Sequence, residues 1–418
     1  MRTAAPRRQT APAGARRKRP PRPDSGARPP SAAVGQRSGP AAFLAGVDPG
    51  SGVRWLVVAL CVAGVVMVGS ASPVISSGLY GSPWYIFERE LLWMVLGAVA
   101  FVVCARIDLR FWRAFRVWFL VGTTVLLVVV LMPHIGVTAG GSSRWFGFGM
   151  FRVQPSEMMK LALIFYCADL IARRADQAHE AKRVLVPVLV VVAASSFLIL
   201  EQPDMGTALV VACIAFGMLF LGGVPMRLLA KTLGGFTVLA LVVGMSQRYR
   251  RDRLLSFINP GAHRSGAGYQ VWQSLVGLGS GHLVGLGLGG GRQKWGILPN
   301  AHTDFIFSVV GEELGLVGAV LLLGMFAALA WFGVRIAAEQ KDRFAGLVAI
   351  GIVTWITAQA VINIGAVIGV LPVTGIPLPF VSFGGSSLVI NLAAMGVLVN
   401  VASRRRRLRA VPGGRPRS

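Results

Sequence analysis

Ten apolar runs, most of them near the length that crosses a bilayer, leave this chain few ways to fold. Backbone in hydrocarbon must satisfy its own N–H and C=O groups, so each run reads as a helix. The runs are Val53–Ala71, Phe87–Ala105, Val117–Met132, Met158–Ala172, Val184–Leu200, Met205–Val224, Leu228–Ser246, Phe305–Val334, Phe344–Leu371 and Ser387–Ala402. The expected fold is an all-α polytopic membrane protein with about ten transmembrane helices. Composition agrees, because 54% hydrophobic and 14% charged residues over 418 positions is too apolar for a soluble chain. The first fifty residues lack a short apolar core, so no cleavable signal peptide is expected and the first run serves as the insertion signal.

A net charge of +25 could suggest nucleic acid, but eleven basic residues lie in the first 54 positions and seven more follow from Arg404. Basic tails beside membrane spans reflect topology and attraction to anionic lipid, and no nucleic-acid partner is expected. Thirteen Lys and Arg occupy the short loops around Arg106–Arg116, Arg173–Arg183, Arg227–Lys231 and Arg335–Arg343, far more than on the other face. Both termini are therefore expected in the cytoplasm, with loops after odd-numbered runs outside. Residues 1–50 read as a disordered basic Pro/Arg-rich tail, 51–403 as one membrane domain and 404–418 as a second basic tail. The connection 247–304 between the seventh and eighth runs is long enough to be a functional external loop. Within it, Tyr269, Trp272, Leu275 and Val276 have helical spacing, which predicts a short amphipathic helix on the outer surface.

The four cysteines, Cys61, Cys104, Cys167 and Cys213, all fall inside apolar runs, so neither a disulfide framework nor a Cys metal site has the required spacing. His134, His179, His263, His282 and His302 form no HxxxH pattern. Gly285–Gly291 contains a formal GxGxxG, but no strand precedes it, and it reads as a closely packed turn rather than a nucleotide site.

Chemistry concentrates at one face. Glu157, Asp204 and Asp304 each stand at the start of an even-numbered run, and ionisable groups at membrane depth cost a few kcal/mol each. Taken singly, each acid could be a helix cap. Lys160, however, lies three residues after Glu157 inside an apolar run, where an ammonium needs an acidic partner or an anionic ligand. The fourth, sixth, eighth and tenth runs all direct their amide-rich N-termini to this face, which suits phosphate or pyrophosphate. Gly384-Gly385-Ser386-Ser387 adds backbone donors and two hydroxyls, while Arg144, Arg152 and Lys160 add cations. Such a site suits an anionic headgroup whose apolar tail stays in the bilayer.

These residues also carry a resemblance. Gly141-Ser142-Ser143-Arg144-Trp145, Gln154-Pro155-Ser156-Glu157-x-x-Lys160 and Gln202-Pro203-Asp204-x-Gly206-Thr207-Ala208 resemble the SEDS family of cell-wall polymerases. The likeness continues through Lys294–Phe307 with its His302-Thr303-Asp304, Gly311-Glu312-Glu313-Leu314-Gly315 and Leu371–Phe380, covering roughly residues 53–403 in order. Lys294-Trp295-Gly296, Tyr249–Arg253 and Phe257–Pro260 look more like the division branch than the elongation branch.

The resemblance implies a peptidoglycan glycosyltransferase that polymerises lipid II into β-1,4 glycan at the outer face of the bacterial cytoplasmic membrane, at the division septum. It makes Asp304 the essential acid, which would take the proton from an acceptor hydroxyl. Arg144, Lys160 and Arg253 would stabilise the departing undecaprenyl pyrophosphate. Gln202, His302, Thr303, Ser386 and Ser387 would bind substrate with them. Glu157 and Asp204 would hold those cations or help bind a divalent ion, Mg2+ or Mn2+, although no cofactor is certain. Partners implied are the lipid-linked glycan, a class B penicillin-binding protein supplying the transpeptidase, and other divisome proteins. Asn300 stands where the family commonly has Glu, leaving Asp304 the only acid in its segment. An elongation-type polymerase and a lipid II flippase or transporter are the alternatives; a structural scaffold would not explain Lys160 among its acids.

Overall fold

The computed structural model describes residues 46–139, 142–148, 151–177, 180–246, 251 and 268–410. Arg253, His179, His263 and most of both tails lie outside these residues. Those from Val47 onward belong to one compact unit. Each apolar run falls on a helix: α1 Pro49–Ala71, α3 Tyr85–Arg106, α4 Leu109–Val130, α5 Pro155–Arg173, α6 Leu185–Leu200, α7 Met205–Leu221, α8 Met226–Ser246, α10 Ile306–Ala338, α11 Arg343–Val367 and α12 Ser386–Ala410. Two shorter α-helices, α2 Pro73–Tyr80 and α9 Tyr269–Ser280, also lie among the described residues. Five of them, α1, α4, α10, α11 and α12, are long and apolar enough to cross a membrane, and α6 and α7 are shorter apolar helices.

Local chemistry sets several boundaries. Asp48, Asp108 and Asp342 stand in extended conformation and accept backbone N–H bonds from Ser51, Arg110 and Phe344, which caps α1, α4 and α11. Proline opens α1, α2 and α5, where its missing N–H costs nothing. The last helix continues to Ala410, so the tail drawn from 404 begins as helix, and Arg404 pairs with Asp108 at 3.2 Å.

Burial ranks the helices. α11 is the most buried of the membrane-length helices and forms the centre, whereas α4, the least buried, lies at the periphery. α3 runs along α12 so closely that a Cβ on Gly396 would stand 2.3 Å from the Phe101 carbonyl oxygen. Asn400 closes this pair by donating to the Ala105 and Ile107 carbonyls at the end of α3.

Three features differ from the sequence expectation. First, the connection between α4 and α5 holds a three-stranded antiparallel sheet, β1 Val137–Ala139, β2 Ser142–Phe148 and β3 Phe151–Val153. Trp145 pairs with Val137, and Phe146 with Val153. Second, α9 does not merely lie on a surface: Val271, Ser274 and Gly277 are buried, and Ser274 donates to the Val367 carbonyl while its own carbonyl accepts from Ser308. Its opposite side keeps Leu275 and Val276 exposed.

Third, the eighth run is not one continuous helix. Gly315 breaks α10 with φ 68° and ψ −166°. The interrupted ladder is repaired by the segment before it: Leu286 and Gly287 N–H donate to the Glu312 and Glu313 carbonyls, and Leu316 and Val317 N–H donate to His282 and Leu283. Gly285-x-Gly287 is therefore a backbone clamp, the close turn expected from its glycines. Gly315→Ala is expected to destabilise the protein by several kcal/mol, because a Cβ would meet the Gly285 nitrogen at 2.4 Å on top of ~1–3 kcal/mol of backbone strain. Thermal unfolding in detergent checks this; an unchanged midpoint would mean that the break relaxes freely.

Candidate active site

The starts of α5, α7 and α12 are tied together by one residue. Gln154, just before Pro155, donates through Nε2 to Asp204 Oδ2 at 3.0 Å, and its backbone N–H donates to Ser386 Oγ at 3.1 Å. Asp204 meanwhile caps α7, accepting from Thr207 N–H at 3.1 Å and Thr207 Oγ1 at 2.9 Å. Asp204 is therefore a cap for α7 and at the same time an acceptor for Gln154.

Lys160 finds the acidic partner its position demanded. Its Nζ lies 2.8 Å from Glu157 Oε2, donates to Gln359 Oε1 at 3.0 Å, and sits 4.6 Å from the centre of the Trp355 ring. Ser387 Oγ adds a 3.1 Å hydrogen bond to Glu157. Glu157, Lys160, Ser386 and Ser387 are all buried. An ion pair this far from water is held by complete hydrogen bonding rather than by net Coulomb gain.

Asp304 enters the same network through α11. Asn363 Nδ2 donates to the Asp304 carbonyl at 2.7 Å and to the Ile376 carbonyl at 2.8 Å. Gln359, one turn earlier, holds Lys160 and donates to the Pro377 carbonyl at 2.9 Å. Two successive polar positions of α11, about 6 Å apart along its axis, thus anchor Lys160 and Asp304 against one loop. Asp304 is partly exposed, and its Oδ2 lies 3.7 Å from where a Cβ on Gly375 would stand. Asn300 adopts φ 58°, a left-handed conformation that Asn tolerates well, and its carbonyl accepts from Thr303 and Phe305 N–H. A turn residue there fits better than the longer Glu.

Arg144 also ties two parts of the backbone together. It projects from β2, donates from Nε to the Gln202 carbonyl at 2.7 Å and from Nη2 to the Pro203 carbonyl at 2.5 Å, and so fastens the sheet to the Asp204 cap. Gln202 is wholly buried, and Thr303 closes a turn on Asn300. His302 packs near Phe383, and burial lowers its pKa to about 4. It is neutral at pH 7. Between pH 6.5 and about 4 the unfolded chain binds the proton that folded His302 refuses, so stability falls as pH drops through that window. The stability advantage of the parent over a His302→Gln variant is therefore expected to shrink on acidification; a difference constant with pH would refute the assignment.

Five buried polar atoms around this network, Gln202 Oε1, His302 Nδ1, Asn363 Oδ1, Thr374 Oγ1 and Asn391 Oδ1, make no hydrogen bond within the protein. Such atoms call for partners from solvent or substrate. Sequence reasoning missed Gln154, Trp355, Gln359 and Asn363 as site residues. The spacing of 355, 359 and 363 on one stripe of an apolar helix was a usable signal. It also missed a second buried ion pair, Lys294 with Glu313 at 2.7 Å, both held by Ser70 Oγ of α1. Glu312 beside it accepts from the Arg292 and Gln293 N–H groups. These contacts fix the 291–305 approach to Asp304.

The starts of α5, α7 and α12, the buried Glu157–Lys160 pair and the Asp304 segment are thus gathered around Gln359 and Asn363 of α11. Residues 52–407 match the family described as Cell cycle protein, FtsW/RodA/SpoVE, and the chain belongs to that family. It is 42% identical over 353 residues to the Probable peptidoglycan glycosyltransferase FtsW of Geobacter metallireducens, covering 84% of this chain and 93% of that one. Stage V sporulation protein E of Bacillus subtilis is 40% identical over 349 residues, covering 83% and 95%. Among solved structures, a chain from a peptidoglycan synthase complex that coordinates polymerization and crosslinking is similar with a TM-score of 0.71 and 29% identity, covering 85% of this chain and 98% of that one. Rod shape determining protein RodA of Thermus thermophilus is similar with a TM-score of 0.63 and 28% identity, covering 85% and 96%.

Proposed function

We propose that this chain is a peptidoglycan glycosyltransferase of the division type, joining lipid II units into β-1,4 glycan at the external face of the cytoplasmic membrane. The observation that carries the reading is that two successive polar positions of α11, Gln359 and Asn363, hold Lys160 and the Asp304 backbone carbonyl respectively, in a chain of this family. Asp304 accepts the proton of the acceptor 4-hydroxyl as that oxygen attacks the lipid-linked MurNAc carbon. The carbon inverts, the glycosidic bond forms, and undecaprenyl pyrophosphate leaves. A positioned base contributes roughly 10²–10⁴ in rate. The neighbouring helix N-termini stabilise the departing pyrophosphate, and the Lys160 ammonium, bonded to Glu157 and Gln359, holds the start of α5 in place for that task.

Glu157 and Asp204 are already committed to Lys160, Ser387, Thr207 and Gln154, and among the described residues no three His, Cys, Asp or Glu side chains converge. A divalent ion at this site would take most of its ligands from the substrate's pyrophosphate. In the same reading ten helices cross the membrane, both termini are cytoplasmic, and a class B penicillin-binding protein crosslinks the strands at the septum. Purified protein given labelled lipid II, with and without that partner, tests the activity. Absence of glycan under both conditions, from protein that is folded and membrane-embedded, would overturn it.

A further inference from the structure

Asp169, twelve residues after Glu157 on α5 and so about 18 Å further along the helix, serves no part of the site described. It is 4% exposed, and three guanidiniums converge on it. Arg113 Nε lies 2.7 Å from Oδ1, and Arg116 Nε and Arg173 Nε lie 2.5 and 2.8 Å from Oδ2. One carboxylate cannot neutralise three guanidiniums, and the cluster keeps an excess of two positive charges. Each closest contact is made by the inner nitrogen Nε. The terminal nitrogens of Arg113 and Arg173 are carried on side chains that are 40% and 56% exposed. Arg116 Nη1 is spent on the Arg113 carbonyl, and the Arg113 guanidinium lies 5.1 Å over the Phe344 ring, which holds it at the start of α11. Asp342, the nearest acid in sequence to that ring, caps α11 by accepting from Phe344 N–H.

The surroundings say what kind of anion fits. α4 is the helix with the least buried apolar window among the membrane-length helices. Val117 and Val121 follow Arg113 at i+4 and i+8 along one edge of it, both exposed, with Trp118 beside them at 72% exposure. A fixed cationic cluster thus stands at the foot of an exposed apolar track. We propose that Arg113 and Arg173, braced by Arg116 and Asp169, bind the phosphate diester of an anionic phospholipid whose acyl chains lie along the outer edge of α4. Guanidinium suits this task, since its planar fork can donate two bonds to a phosphate while another nitrogen keeps the Asp169 contact. The proposal rests on α4 facing lipid and is independent of the catalytic reading.

Native mass spectrometry of the full chain released from mixed phosphatidylglycerol and phosphatidylcholine bilayers provides the test. The parent is expected to retain phosphatidylglycerol selectively. Arg113→Gln/Arg173→Gln, which leaves the Arg116–Asp169 pair in place, is expected to lower that selectivity by roughly tenfold or more, each basic group near an anionic surface carrying on the order of a fivefold factor. Arg113→Lys/Arg173→Lys keeps the charge and the fold, and is expected to retain part of the selectivity while losing the forked geometry. Arg227→Gln/Lys231→Gln removes equal charge at the start of α8 and is expected to leave selectivity unchanged. Equal losses in the α8 variant would reduce the effect to diffuse basic charge. Full retention by the Gln pair, or displacement of the lipid by inorganic phosphate, would overturn the proposal.

Discussion

Asp304→Asn is expected to leave folding and membrane insertion intact while lowering lipid II polymerisation by roughly 10²–10⁴-fold. The separation of effects follows from how Asp304 is held. Its backbone carbonyl, not its carboxylate, accepts the Asn363 bond that ties the segment to α11 and to Ile376. Asn keeps that bond and the side-chain shape but cannot take up the acceptor proton. Chain elongation from labelled lipid II measures the loss. A folded Asp304→Asn protein with near-normal glycan synthesis would remove Asp304 from the reaction and leave this site with no candidate base.

Lys160→Met is expected to act mainly on folding, and more severely than its position in sequence suggests. Removing the ammonium leaves the Glu157 carboxylate buried, with the Ser387 hydroxyl as its remaining partner, and leaves Gln359 Oε1 with only the Trp355 donor. Breaking one side of a buried ion pair costs about 3–5 kcal/mol, a large share of the ~5–15 kcal/mol that holds a typical protein together. Lys160→Met/Glu157→Gln removes both charges and is expected to regain most of the stability without regaining turnover. That double variant separates structure from chemistry. A single Lys160→Met protein as stable and as active as the parent would mean that neither the pair nor the pyrophosphate depends on this cation.

The helices were legible because hydrocarbon permits little else, and the ten runs needed no tertiary information. The Glu157–Lys160 pair was legible for a related reason: an ammonium three residues from a carboxylate inside an apolar run has few other ways to be tolerated. The bonds of Arg144 to the backbone carbonyls of Gln202 and Pro203 were not legible, because carbonyls leave no mark in side-chain patterns. The Gly315 break was invisible for the same reason. Apolar residues continue on both sides of it, and its compensation comes from N–H and C=O groups of the 282–287 segment. Lys294 and Glu313 are nineteen positions apart across a loop, a separation that no helical or strand period connects. The small sheet before α5 is built from short strands interrupted by glycine, too brief for an alternation to stand out.

The break in α10 has a mechanical consequence. An unbroken helix of 33 residues would couple Asp304 rigidly to the far end of the bundle. Instead Asp304 precedes a stub of nine residues, Ile306 to Leu314, whose orientation is set by the clamp at 282–287 and by the Lys294–Glu313–Ser70 latch. Force arriving along the long portion meets a joint at Gly315 before it reaches the acid, while force on the 282–298 segment reaches the stub directly. That segment carries several exposed apolar side chains, Leu283, Val284, Leu288 and Trp295 among them. Anything pressing there would act on the aim of Asp304 through a short lever arm, with the rest of the bundle as its fixed mount.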